Sequence, residues 1–437
     1  MKKLIPLLIT LGLLTSCGSP SIESNSAPIK PTINIDEKRM YSNLETICSS
    51  PRPYGSEGET RSSEFIKETL TKLNYKVEIA QFPIYEQSIS TLHLKDINPL
   101  NSKEIGKGKN IIVKSKHHNE NKKTLYVTAH YDTTKNTVGA MDNGSGTATV
   151  LEIATVLKDF NPSYNIVYIF FGAEEYCRAG SKYFVSTLSD DDISSTLGCI
   201  NIDMIGERDA GPVEIRTINR FDNILSYEFN LSLNTKLQLR RGGSSDELAF
   251  FLHKIPTFTL ADNYPKIKRS LEPDHIKYID TAVLKSTGES VCNFLINLNP
   301  NKLKPTSSPI YGNINSSNLL TDDNNMGKLK NIPLPKGFKY NSSVVNYVDN
   351  GYISKIKYIF KSGSKEITIS ISTTPDSESL INNNYKPIPP KDRNIRYYSI
   401  VENPTFICRY VISNYYGEIT GDVTPEESLT ILKSISY

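Results

Sequence analysis

The 437-residue sequence has little net charge: 50 Lys and Arg stand against 47 Asp and Glu, a formal +3. No stripe of basic residues runs along it, so it lacks the electrostatic footprint of a nucleic-acid binder. It has no apolar run long enough to span a bilayer. No internal repeat is present, which sets aside repeat architectures. Cysteines are sparse. Beyond Cys17 there are five, Cys48, Cys177, Cys199, Cys292 and Cys408. An odd, widely scattered set is not the framework of a disulfide-stapled fold. Buried free thiols are the simpler reading, with at most one pair forming outside the cell.

What is present begins at the N-terminus. "MKKLIPLLITLGLLTSCGS" has a basic start, an apolar run from Leu4 to Leu14 and small residues leading to Cys17. That is the build of an export signal. "LLTSC" resembles the lipobox of bacterial lipoproteins, which implies cleavage after residue 16 and lipidation of Cys17. The expected product is exported and anchored to the membrane by its lipid alone, facing the periplasm or the cell exterior. Residues 17–35 are rich in Ser, Pro and Asn and read as a flexible tether.

Residues 36–300 alternate between helical and strand patterns. "ETRSSEFIKETLTKLNY" (59–75) spaces Phe65, Ile66, Leu70 and Leu73 for a helix. "GSGTATVLEIATVLKDF" (144–160) does the same with Ala148, Leu151, Ala154 and Leu157. Apolar strand-like runs recur at 76–82, 110–115, 124–130, 165–171, 198–204 and 255–260. This order predicts an α/β fold with a mostly parallel, mixed central sheet and helices on both faces. Residues 301–330, dense in Asn, Ser, Pro and Asp, read as a linker. Residues 331–437 alternate apolar and polar positions and close on "TPEESLTILKSI", a helix with Thr424 as N-cap. They form a second, small β-rich α+β domain without histidines or an acid cluster.

The chemistry-bearing residues follow the apolar runs: His130 and Asp132 in "VTAHYDT", Asp142 in "GAMDNGSG", Glu174 and Glu175 in "FFGAEEYC", Asp203 in "GCINID", and His275 in "EPDHIKYID". In an open α/β sheet, ligands gather at the carboxyl ends of the strands, so the fold would bring these groups to one rim. Singly, each has a plainer reading: a strand-end histidine, a turn former, a solvated acidic pair or a cap. Their joint, ordered occurrence changes that. Two imidazoles and several carboxylates suit borderline divalent ions such as Zn²⁺, Mn²⁺ or Co²⁺. Five candidate ligands exceed the three of a single catalytic ion and suit two ions sharing a carboxylate.

This ordered set, with the opening "ICSSPRPYGSEGETRSSEFIKETLTKLNYKVE", resembles the zinc-dependent M28 family of two-metal aminopeptidases over residues 38–298. The resemblance implies a zinc-exopeptidase (phosphorylase/hydrolase-like) fold binding two divalent ions, zinc above all. Asp142 would bridge them, His130 and Asp203 would complete one site, and Glu175 and His275 the other. Asp132 would orient the His130 ring, and Glu174 would be the general base. Asp246 and Met204 are candidates for contacts just outside the ligands or with substrate. Two stretches depart from the family pattern. "SSDELAF" keeps Ser245 and Asp246 but has Glu247 where the family has His, and four residues rather than three separate His275 from Asp280.

The leading expectation is an aminopeptidase acting on peptide or protein N-termini. Carboxypeptidase-like and glutaminyl-cyclase-like activities on the same site are the near alternatives. A third is a non-catalytic peptide-binding lipoprotein. Residues 83–109 leave no room for the insertion common in the carboxypeptidase branch. The two-ion ligand set argues against a one-zinc cyclase. A relic binding site would have no need of Glu174.

Overall fold

A computed structural model describes residues 30–86, 103–218, 223–241, 245–263, 274–303, 333–347, 353–372, 386–387, 395–402, 406–412 and 415–434. The signal segment, Cys17 and most of the expected tether and linker lie outside the described residues. Among the described residues no helix is long and apolar enough to cross a membrane.

The larger sheet is built from β1 (Lys76–Tyr85), β2 (Glu104–Lys114), β3 (Thr124–His130), β4 (Asn165–Phe171), β5 (Thr196–Ile202), β6 (Val213–Thr217), β7 (Leu239–Arg241) and β8 (Thr257–Asp262). Its spatial order is β1-β2-β4-β3-β5-β8-β6-β7. The strands β4, β3, β5 and β8 are parallel, β1 and β2 extend one edge antiparallel, and β6 runs antiparallel to β8. The sheet is thus mixed around a parallel centre, as expected.

Strand alternation sorts side chains onto two faces. Leu125, Val127 and Ala129 of β3 join Ile166, Tyr168 and Phe170 of β4 in one cluster. That cluster is covered by α1 (Glu37–Ile47), α2 (Glu57–Thr71), α3 (Ser145–Val156), α6 (Ile224–Ser232) and α8 (Thr281–Asn297). Tyr126, Val167, Ile169 and Phe171 point the other way, against Phe184 and Val185 of α4 (Ala179–Ser186), Ile193 of α5 (Asp190–Ser195) and Phe250 of α7 (Glu247–Leu252). Each such fully buried side chain contributes ~1.5–3 kcal/mol relative to exposure.

Every residue of α3 from Ser145 to Ala154 is buried, which its small residues permit. Its one acid, Glu152, accepts the Asp36 N–H (2.9 Å) and two bonds from the Arg39 guanidinium (2.8 and 2.7 Å). The expected tether therefore ends docked: Ile35 is buried in the core beside this pair. The five cysteines beyond Cys17 are free thiols, all buried but Cys177.

The C-terminal region forms a separate antiparallel seven-stranded sheet of order β12-β13-β14-β15-β11-β10-β9. Its strands are β9 (Lys339–Tyr347), β10 (Ile353–Ser362), β11 (Lys365–Ser372), β12 (Lys386–Pro387), β13 (Ile395–Glu402), β14 (Phe406–Ile412) and β15 (Tyr415–Gly421). The helix α9 (Pro425–Ser434) follows, capped as expected. The Glu427 N–H donates to Thr424 Oγ1 (3.2 Å), and Glu427 Oε2 accepts the Thr424 N–H (2.8 Å).

Candidate metal centre

Three of the expected ligands meet at the carboxyl end of the parallel strands. His130 ends β3, Asp203 follows β5 by one residue, and Asp142 lies in the turn Ala140–Gly144 ahead of α3. Their ligating atoms all lie within 4.8 Å of one another. His130 Nε2 stands 3.3 Å from Asp142 Oδ1 and 3.4 Å from Asp203 Oδ1.

Close approach of α3 to β5 makes this possible. A Cβ on Gly146 would sit 2.3 Å from the Ile202 carbonyl oxygen, so no other residue fits there. Asn143 then ties the two segments together. Its Nδ2 donates to the Ile202 carbonyl (2.9 Å), and its Oδ1 accepts the N–H groups of Gly146 (2.9 Å) and Met204 (3.3 Å). Met204 is thereby fixed, buried, directly behind Asp203.

Two further anchors hold the Asp142 turn. Fully buried Arg52, from the "PRPYGS" stretch, donates to the carbonyls of Tyr131 (2.6 Å), Val138 (2.6 Å), Gly139 (3.1 Å) and Ile47 (3.1 Å). Gly139 itself has φ +52°, a left-handed turn that glycine adopts without strain. From the other side, buried Asp274 accepts the Met141 N–H on both oxygens (2.8 and 3.0 Å) and the Asp142 N–H on Oδ2 (2.8 Å). Neither Asn143 nor Asp274 was expected from the sequence. Asn143 passes for a turn residue beside Asp142, and Asp274 is overshadowed by the His next to it.

Asp132, buried two residues past β3, does more than face His130. Its Oδ1 lies 3.5 Å from His130 Nδ1, and its two oxygens accept the N–H groups of Glu174 (3.0 Å) and Glu175 (3.2 Å). One carboxylate thus orients both the first ligand and the backbone of the acidic pair. Glu174 is held inside a field of acids. Burial pushes its carboxyl well above the usual range; the His130 charge opposes this, and Asp246, Asp203 and Asp132 add to it. Asp246 is fully buried, and burial raises it to about 7, against the His130 charge and the Ser181 hydroxyl. Glu247, in place of the family's His, is buried, accepts the Ser245 N–H (3.1 Å) and is raised by burial to about 7.

Glu175 and His275 lie outside the ligand cluster. Both are exposed, and His275 Nδ1 accepts the Lys277 N–H (3.3 Å) while capping a short turn.

The residues present fit a divalent cation. Burial opposes a charge on His130, yet the Asp203, Asp132 and Asp142 carboxylates hold its pKa well above the usual value. Among the described residues, both buried ring nitrogens and Asp203 Oδ1 face each other or the other carboxylates at 3.3–3.5 Å without a well-formed hydrogen bond, a costly arrangement for a site meant to stay without a cation. Two ligands ~2.0–2.1 Å from one tetrahedral ion stand about 3.3 Å apart, the spacing found between His130 and each carboxylate.

The model of Peptidase family M28 matches residues 110–295. Residues 110–295 are thus similar to peptidase family M28. The chain is 32% identical over 219 residues to Aminopeptidase YwaD of Bacillus subtilis, covering 47% of each. It is 24% identical over 294 residues to Leupeptin-inactivating enzyme 1 of Streptomyces exfoliatus, covering 65% of this chain and 62% of that protein. The chain thus spans under two thirds of either relative. A solved zinc aminopeptidase from B. subtilis superposes on the M28 fold with TM-score 0.53 at 21% identity, over 60% of this chain and 95% of that one. An aminopeptidase from Aneurinibacillus sp. strain AM-1 gives 0.51 at 18%, over 60% and 93%. At such identities these structures speak for the fold alone.

Proposed function

We propose that the M28 domain is a two-metal exopeptidase that releases N-terminal residues from peptides, exported and held at the membrane through a lipid on Cys17. The carrying observation is the convergence of His130 Nε2 with the Asp142 and Asp203 carboxylates at 3.3 and 3.4 Å, with the Glu174 backbone held by Asp132. His130 and Asp203 would hold one ion, Glu175 and His275 the other, with Asp142 shared. Bound zinc supplies Lewis acidity for the scissile carbonyl and makes water a competent nucleophile near neutral pH.

The chain's own residues provide the rest. The raised proton affinity of Glu174 suits a base that must take a proton from the attacking water and return it to the leaving amine. Asp132 keeps that carboxylate and the His130 ring in fixed relation. Asp246 sharpens the proton affinity of Glu174 by like charge. The main-chain links made by Asn143 keep Asp142 and Asp203 from drifting apart.

The reading is tested with protein lacking residues 1–29, assayed on aminoacyl-nitroanilides and on N-blocked peptides. Release from free-amino substrates alone, abolished by chelator and restored by Zn²⁺, is expected. Absence of any chelator-sensitive release would refute it. Metabolic labelling with a fatty acid, lost in Cys17→Ala, tests the anchor.

A further inference from the structure

We infer that Asp274 is a positioning residue that latches the His275 turn onto the Asp142 turn, so that the second metal site depends on it and the first does not. The inference rests on the two-ion reading above. Its basis is the asymmetry of supports on the two sides of the latch.

The Asp142 turn has anchors independent of Asp274. Arg52 holds the Val138 and Gly139 carbonyls, Ser145 Oγ donates to the Met141 carbonyl (2.9 Å), and Asn143 ties the turn to β5. Both partners of His130 in the ligand cluster are therefore placed whether or not Asp274 is present.

The turn carrying His275 is supported differently. Its far end is held by the Arg208 N–H on the Tyr278 carbonyl (2.8 Å), Arg208 Nε on the Lys277 carbonyl (3.1 Å) and the Asp280 N–H on the Gly206 carbonyl (2.7 Å). On the near side, among the described residues, the hydrogen bonds are those of Asp274: three from the Met141 and Asp142 amides and one from Thr137 Oγ1 to its carbonyl (3.4 Å). His275 itself is exposed, while its neighbour Ile276 packs against the core on the far side of the turn. The residue beside the expected second-site ligand thus grips the backbone of the expected shared ligand. Asp274 thus links the His275 turn directly to the backbone of the Asp142 turn.

The test is equilibrium dialysis of the protein against Zn²⁺ buffers, counting ions per chain, with circular dichroism as the fold control. Removing a hydrogen-bond partner of a ligand typically weakens metal binding ~10–100-fold, so Asp274→Ala should weaken the second ion by that factor and the first by less than about threefold. Asp274→Asn, which keeps one acceptor, should fall between, and it carries the test should the Ala variant lose its fold. Two ions bound as tightly as in wild type would overturn the latch, and so would equal weakening of both. A wild-type protein binding a single ion would instead refute the two-ion reading and the latch with it.

Discussion

Replacing Asp132 with Asn removes one charge from the most connected carboxylate of the site while keeping its shape. In the wild type its oxygens accept the Glu174 N–H at 3.0 Å and the Glu175 N–H at 3.2 Å, and Oδ1 faces His130 Nδ1 at 3.5 Å. Asn offers one carbonyl oxygen. One of the two amides then faces an NH₂ group and cannot donate. A hydrogen bond to a charged group contributes ~1.5–3 kcal/mol, and a stranded buried donor costs ~1–3 kcal/mol, so unfolding free energy should fall by about 2–4 kcal/mol. The same change loosens Glu174 and the His130 ring together, which should lower kcat ~10²–10³-fold, or about 2.7–4 kcal/mol of barrier, with KM nearly unchanged. Urea denaturation and steady-state kinetics at saturating Zn²⁺ measure the two effects. Unchanged stability would refute the assigned bonds. A kcat within about threefold of wild type, with stability lost, would confine Asp132 to holding the loop.

Three other outcomes follow from the same structure. Glu174→Gln keeps the shape of the base but cannot take a proton, so turnover should drop ~10²–10⁴-fold while the number of bound ions stays that of wild type; near-normal turnover would remove Glu174 from the mechanism. Glu152→Gln weakens the grip on Arg39 and the Asp36 amide; because the Arg39 side chain is 42% exposed and can turn to water, the loss in a urea titration should be only about 1–2 kcal/mol. Burial raises Asp262 to about 7, against the bonds from the Glu207 and Gly206 amides. Its folded form therefore holds a proton that the unfolded chain releases near pH ~4. This contribution to stability is complete below about pH 4 and lost as pH rises through 7. In metal-free protein Asp262→Asn should match wild type near pH 4 and be the more stable above pH 7, and a gap independent of pH would contradict the assignment.

Much of this architecture was legible before any coordinates. The central strands announce themselves because both their faces are buried, which leaves continuous apolar runs such as Asn165–Phe171. His130, Asp142 and Asp203 could be picked out because each closes or follows such a run. Helix limits shifted at the capping residues. The 59–75 pattern starts earlier, at Glu57, because Ser56 Oγ accepts the Glu59 N–H (3.1 Å), and ends at Thr71 before Asn74 turns left-handed. The strands β6 and β7 are too short to carry a periodicity. Roles exercised through the main chain were the least readable. Asn143, Asp274 and Arg52 act on amides and carbonyls of residues far away in sequence, and no spacing rule encodes that.

Arg52 bears on where the folding unit around this site begins. The match of the family model begins at residue 110. The guanidinium that fixes the turn before Asp142 enters from 79 to 87 positions upstream of its partners Tyr131, Val138 and Gly139. A fragment cut at the similarity boundary would leave those carbonyls turned toward an empty slot. It would also strip α1 and α2 from the core and β1 from the sheet. Among the described residues Ile33 and Ile35 are the first to enter the core, so a fragment that keeps the packing around the metal-binding rim starts near residue 33. Homology delimits what relatives share, and hydrogen bonding delimits what can stand alone.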